Sequence, residues 1–154
     1  MSLISLEGTP VHKNITSGSS TTIGPFTTLN PCEVFLVNTI NSTSISSITG
    51  GGLTWAKRVD ATSALGNPIE LWAAQALSPI SAVTFTVNYV LGVGFSTLDL
   101  FAFSEQDIAT IWDKDPSVPA ELNNGPDPIT ISVGSGQGVV IAGDRRATEG
   151  FQIA

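Results

Sequence analysis

A single histidine, His12, and a single cysteine, Cys32, limit the chemistry open to this chain. A Ser-His-Asp triad would have to recruit His12, which sits in a weakly patterned N-terminal stretch. No Gly-x-Ser-x-Gly elbow supplies an exposed serine nucleophile, so a solvated His12 is the simpler reading. One histidine and one cysteine are too few for a zinc site or a disulfide framework. Carboxylates are the remaining candidates. Asp113 and Asp115 in "WDKDPS" could join loop carbonyls in an oxygen cage for calcium, and Asp107 and Asp127 lie nearby in sequence. The spacing is not that of an EF-hand, and a solvated turn ranks ahead of calcium. Glu70, Asp99 and Glu105 could in principle furnish a glycosidase pair, but sequence spacing does not bring any two of them together.

Two glycine-rich runs raise the question of phosphate binding. Gly50, Gly51 and Gly52 in "SITGGGLTWAKRVD" precede Leu53-Thr54, not the Lys-Ser/Thr of a P-loop. The residues that follow alternate with period two, so no helix N-terminus faces a phosphate. "VGSGQGVVIAG" (133–143) carries Gly-x-Gly-x-Gly before a strand pattern, not a dinucleotide fingerprint opening a helix. Both runs are better read as turns, and Gly50–Gly52 with Trp55 as a turn that starts a core strand.

The elements that must hold these residues are β-strands. "CEVFLVNTI" (32–40) is apolar on both parities, which predicts a central strand. "LTWAKRV" (53–59) places Leu53, Trp55, Lys57 and Val59 on one side. "PIELWAAQA" (68–76) sets Ile69, Leu71 and Ala73 against Glu70, Trp72 and Ala74. "AVTFTVNYV" (82–90) alternates cleanly, with Val83, Phe85, Val87 and Tyr89 inward. "STLDLFAFS" (96–104) has large apolar groups on both parities. "PITISV" (128–133) and "GVVIAGD" (138–144) flank a hairpin loop, and "GFQI" (150–153) begins a further strand. Only 104–115 has a helical signal, with Ser104 as a cap, and 116–128 is a proline-rich loop. About eight strands with little helix predict an all-β fold: an antiparallel β-sandwich, jelly-roll-like. Residues 1–31 read as an arm or edge segment, and 32–154 as the sandwich domain, its last strand incomplete or completed by a partner.

Composition narrows the function classes. Charged residues make up 12% of the chain, about half the usual share. The net charge of −7 with no basic cluster argues against nucleic acid and against an anionic membrane. The longest apolar run (82–95) is broken by Thr84, Thr86 and Asn88 and is too short to span a bilayer. The N-terminus has no signal-peptide pattern, which predicts synthesis in a host cytoplasm.

Trp55 shares its strand parity with Leu53 and Val59, which points to the core. Trp72 shares its parity with Glu70 and Ala74, which fits an outer face or a contact between subunits. Trp72, Trp112, Phe151 and Ile153 are therefore the interface candidates, and an aromatic glycan platform is the competing use of the tryptophans. The succession "GGLTWAKR", "IELWAAQALSPISAVTFTV" and "LDLFAFSEQDIATIWDKDPS" resembles β-sandwich modules of bacteriophage virion proteins and bacterial surface proteins. The likeness rests on Gly52 to Trp55, Arg58, Trp72 to Ala76, Val83 to Val87, and Phe103, Ser104 and Asp107, within about 48–145. The ending "GFQIA" departs from that pattern. The resemblance implies a non-enzymatic virion protein without a cofactor, located on the particle surface as a capsid decoration or accessory protein. Its partners would be capsid or other virion proteins and further copies of itself. The alternative is a carbohydrate- or receptor-binding module of a fibre or cell-surface protein.

Overall fold

The computed structural model describes residues 4–40, 43–62 and 68–104. They form eight strands and no helix: β1 (Ser5–Ile15), β2 (Gly18–Phe26), β3 (Cys32–Ile40), β4 (Ile45–Thr49), β5 (Trp55–Thr62), β6 (Pro68–Ala76), β7 (Val83–Val93) and β8 (Ser96–Ser104). A five-stranded sheet has the order β1-β8-β3-β6-β5, and a three-stranded sheet the order β2-β7-β4. Every pairing is antiparallel. The all-β antiparallel sandwich expected from the strand spacing is therefore the observed architecture.

The strands expected at 32–40, 68–76 and 96–104 coincide with β3, β6 and β8. β1 and β2 lie in the segment read as an arm or edge, and β4 arises where no strand is expected. β4 is only five residues long, and its buried residues, Ile45 and Ile48, are three apart because the register shifts between Ile45 and Ser47. That shift erases the period-two signal. The expected strands at 128–133, 138–144 and 150–153, the helical segment and the loop at 116–128 lie outside the described residues.

The core lies between the sheets. Cys32, Val34 and Leu36 of β3, Trp72 and Ala76 of β6, and Leu98, Leu100 and Ala102 of β8 meet Ile23 and Phe26 of β2, Ile45 and Ile48 of β4, and Phe85, Val87 and Tyr89 of β7. The inward set expected for β7 is thus the observed one. The opposite face of the larger sheet carries a second buried cluster of Phe35, Val37, Leu71, Ala73 and Phe101, with Val59 and Phe103 against it. Phe35 and Phe101 stack with centroids 5.6 Å apart, and Phe103 meets both rings edge-on. The central strands are apolar on both parities because both their faces are buried.

Gly50–Gly52 form the turn between β4 of one sheet and β5 of the other. Leu53 N–H donates to Gly50 C=O at 3.3 Å, and the two central residues, Gly51 and Gly52, have φ of +60° and +66°. Positive φ at both central positions is what a type I′ turn requires, and glycine adopts it without a Cβ penalty. Trp55 follows and packs edge-on against Phe85 at 5.4 Å. The run is a turn into a strand, as expected, but that strand is the edge strand β5, and Trp55 is only partly buried against the core.

Candidate functional site

One carboxylate organises the polar interior. Glu70 is fully buried, on the inner parity of β6 with Trp72. Register places it opposite Asn38 on β3 and Asp60 on β5. Asn38 is fully buried too. Glu70 Oε2 accepts from Asn38 Nδ2 at 3.1 Å and from the Ile45 backbone N–H at 2.8 Å. Its other oxygen, Oε1, lies 2.5 Å from Lys57 Nζ. Asn38 Oδ1 in turn accepts from Ser96 Oγ at 2.7 Å. Three adjacent strands, β5, β6 and β3, thus present an amine, a carboxylate and a carboxamide on one face.

Local sequence explains how Lys57 reaches this carboxylate. A register shift between Lys57 and Val59 puts an extra residue, Arg58, into β5. Trp55 faces the inter-sheet core, whereas Val59 joins the outer cluster. The expected common face for Trp55 and Val59 is corrected by this bulge, since one added residue reverses the parity of everything after it. Lys57 also pairs with Asp60 Oδ2 at 2.9 Å and stands 5.4 Å from the Trp72 ring centroid. Burial disfavours its charge, but Glu70 and Asp60 outweigh that and hold its pKa above the ordinary lysine value. Burial, with a contribution from the charge of Glu70, raises the Tyr89 pKa, while the Ser96 hydroxyl acts in the other direction.

Trp72 is a core residue, 9% exposed and packed between the sheets. The outer-face or interface placement expected from its parity is overturned, because the parity shared with Glu70 is the inner one. Trp55 also packs against the core, as expected. Neither indole N–H has a partner among the described residues, so both rings act as apolar fill. Trp72 is thereby removed from the glycan platform, and Trp55, partly buried, keeps only part of its side chain at the surface. Trp112, Asp107, Asp113, Asp115, Asp127, Glu105, Phe151 and Ile153 lie outside the described residues.

The remaining candidates do not converge. His12 is exposed on β1, and its Nδ1 is 2.7 Å from Asp99 Oδ1 on the neighbouring strand β8. Asp99 lies on the opposite parity of β8 from the inner Leu98 and Leu100, so Glu70 and Asp99 face opposite sides of one sheet. That arrangement gives no glycosidase pair from these two. Among the described residues, no three His, Cys, Asp or Glu side chains gather to hold a metal ion. Cys32 is buried, which raises its pKa and keeps the thiol unreactive.

No known family, curated protein or solved structure matches this chain. Any functional reading therefore stands on the geometry of these residues.

A second polar anchor fixes one end of the sandwich. Buried Glu7 of β1 accepts from the backbone N–H groups of Leu29 and Asn30 at 3.1 and 3.2 Å, and from Asn30 Nδ2 at 2.8 Å. Burial opposes its ionisation, but these donors prevail and lower its pKa. The anchored loop carries Leu29, 81% exposed, and the loop after β6 at the same end carries Leu77, 71% exposed. At the other end, Val90 and Leu91 near the end of β7, and Phe95 in the β7–β8 connection, are exposed. The pairings Cys32↔Ala76 and Ile40↔Ser96 mark these as opposite ends of the five-stranded sheet.

Proposed function

We propose that this chain is a non-enzymatic structural module of a phage-like particle, a surface decoration or accessory protein that ties neighbouring subunits together. The observation that carries the reading is the placement of exposed apolar side chains at both ends of the sandwich: Leu29 and Leu77 at one, Val90, Leu91 and Phe95 at the other. Loops and strand ends that present large apolar groups to water gain free energy when a neighbour covers them. A module with such groups at two ends suits contact with a subunit on each side. We read the connectivity as jelly-roll-like, with β5 transferred to the larger sheet beside β6. The partners are other virion proteins and further copies of the chain.

Density-gradient purification of phage particles from the producing host, followed by peptide identification, tests this. The chain should co-band with intact particles and persist through salt washing. Recovery only among soluble or cell-wall proteins overturns the assignment.

A further inference from the structure

We propose that Lys57, Glu70 and Asn38 form an autocatalytic cross-linking site, in which the lysine amine displaces ammonia from the asparagine carboxamide to give an intramolecular amide bond between β5 and β3. The three groups are nucleophile, proton carrier and electrophile on adjacent strands. Glu70 touches both reactants: Lys57 Nζ at Oε1, 2.5 Å away, and Asn38 Nδ2 at Oε2, 3.1 Å away. The nitrogen that must leave is therefore the one already facing the acid. Ser96 Oγ donates to Asn38 Oδ1 at 2.7 Å, which polarises the carbonyl and stabilises the oxyanion of a tetrahedral intermediate. Trp72 and Tyr89 line the same interior, where excluded water does not compete as nucleophile.

The step balances. Glu70 and Asp60 favour the ammonium form of Lys57, so the transfer follows loss of the Asp60 contact: Lys57 then passes one proton to Glu70 and becomes the free amine. Its lone pair attacks Asn38 Cγ, forming the new C–N bond. Collapse of the intermediate breaks the Cγ–Nδ2 bond. The proton held by Glu70 and one from the attacking nitrogen go to the departing nitrogen, which leaves as ammonium. Glu70 ends as a carboxylate, and no oxidant or cofactor takes part. Lys57 must first give up its contact with the half-exposed Asp60 and come within about 3–3.5 Å of Asn38 Cγ. The product straps β5 to β3 across β6 and closes the chain between residues 38 and 57, removing freedom from the unfolded state as other covalent loops do.

Intact-mass measurement of the full wild-type chain, before and after prolonged incubation, is the test. The expected result is a loss of about 17 Da, the ammonia released by amide formation. Trypsin should fail to cut after Lys57, and chymotrypsin should yield a branched peptide joining the Asn38 and Lys57 segments. Lys57→Arg, Asn38→Ala and Glu70→Gln should each retain the full mass. Ser96→Ala should slow formation by roughly a hundredfold. An unshifted mass of the folded wild-type chain overturns the proposal without any variant. So does a loss of the same size that maps to Asn124-Gly125 as a cyclic imide while Lys57 remains cleavable. Retention of the cross-link in Glu70→Gln overturns the role of Glu70.

Discussion

Alanine placed at Gly50, Gly51 and Gly52 in turn should produce three different losses of stability, although the residues are identical and consecutive. At Gly52, φ is +66° and a Cβ would meet nothing within 4 Å. The cost is the left-handed backbone alone, about 1 kcal/mol. At Gly51, φ is +60° and a Cβ would stand 3.0 Å from Val83 Cγ1, a side-chain atom able to yield. That adds a few tenths, for a total of about 1.5 kcal/mol. At Gly50, φ is +125°, and a Cβ would lie 2.8 Å from the Thr84 carbonyl oxygen and 3.2 Å from Phe85 Cα. These are backbone atoms of β7, the strand held between β2 and β4, so they cannot retreat without disturbing pairings on both sides. A glycine-only conformation and a backbone clash together cost about 3 kcal/mol or more, a large part of a domain's stability. Urea unfolding followed by tryptophan fluorescence, analysed with a common slope, reads the series directly. The order Gly50→Ala, Gly51→Ala, Gly52→Ala, from most to least destabilised, is expected. Equal losses, or a Gly52→Ala variant as damaged as Gly50→Ala, would refute the turn geometry on which the ranking rests. Gly52→Asn should recover part of the alanine loss, because asparagine tolerates the left-handed region.

Two further outcomes follow from the buried carboxylates. Glu70→Ala leaves the Ile45 N–H and Asn38 Nδ2 without their acceptor and should cost about 3 kcal/mol by urea unfolding; Lys57, which can turn towards Asp60, keeps the loss at the low end of the range for a broken buried pair. Glu7 has a lowered pKa in the folded chain, so its contribution is full above about pH 4.3 and is lost as the pH falls through the folded value. Wild type should exceed Glu7→Gln by about 2 kcal/mol near neutral pH, and the gap should close in acid; a gap independent of pH would show that the carboxylate does not hold the 29–30 loop.

The legible parts of the fold were those whose burial repeats with period two or covers both parities. β3, β6 and β8 have that property over nine residues each, and β7 over its first seven, Val83 to Tyr89. β1 and β2 lack it for local reasons. β1 is an edge strand, largely exposed, with a register shift between Glu7 and Val11. β2 is rich in Ser and Thr and is interrupted at the cis Gly24-Pro25 bond, where its register with β7 shifts. The polar cluster left a fainter trace. Asn38 and Glu70 each interrupt the inner parity of a strand whose other inner residues are largely apolar, such as Leu36 beside Asn38 and Trp72 beside Glu70, whereas on β5 Lys57 follows Trp55 and is itself followed across the bulge by Asp60. Read one strand at a time, such interruptions look like outward positions, which is how Trp72 came to be placed on the wrong face. Only the register of β5 on β6 and of β6 on β3 shows that the three polar groups coincide.

That coincidence bears on why the cluster exists at all. A buried ion pair is a weak source of stability, because desolvation of both charges offsets most of their attraction, and an apolar pair of similar volume often serves as well. The fold does not lack apolar fill here, since Trp72, Tyr89 and Leu98 occupy the same interior. Holding β4 in place by the Ile45 N–H would need only one acceptor, and a neutral amide on β6 could provide it. What a neutral amide could not do is accept a proton from Lys57 on one oxygen while standing ready to return it to the Asn38 nitrogen from the other. The arrangement is thus more specific than support of the sheet demands. A covalent strap between β5 and β3 would be useful in a module whose two ends are pulled by different neighbours, because load applied at Leu91 or Leu29 would then meet a bond and not only a ladder of hydrogen bonds.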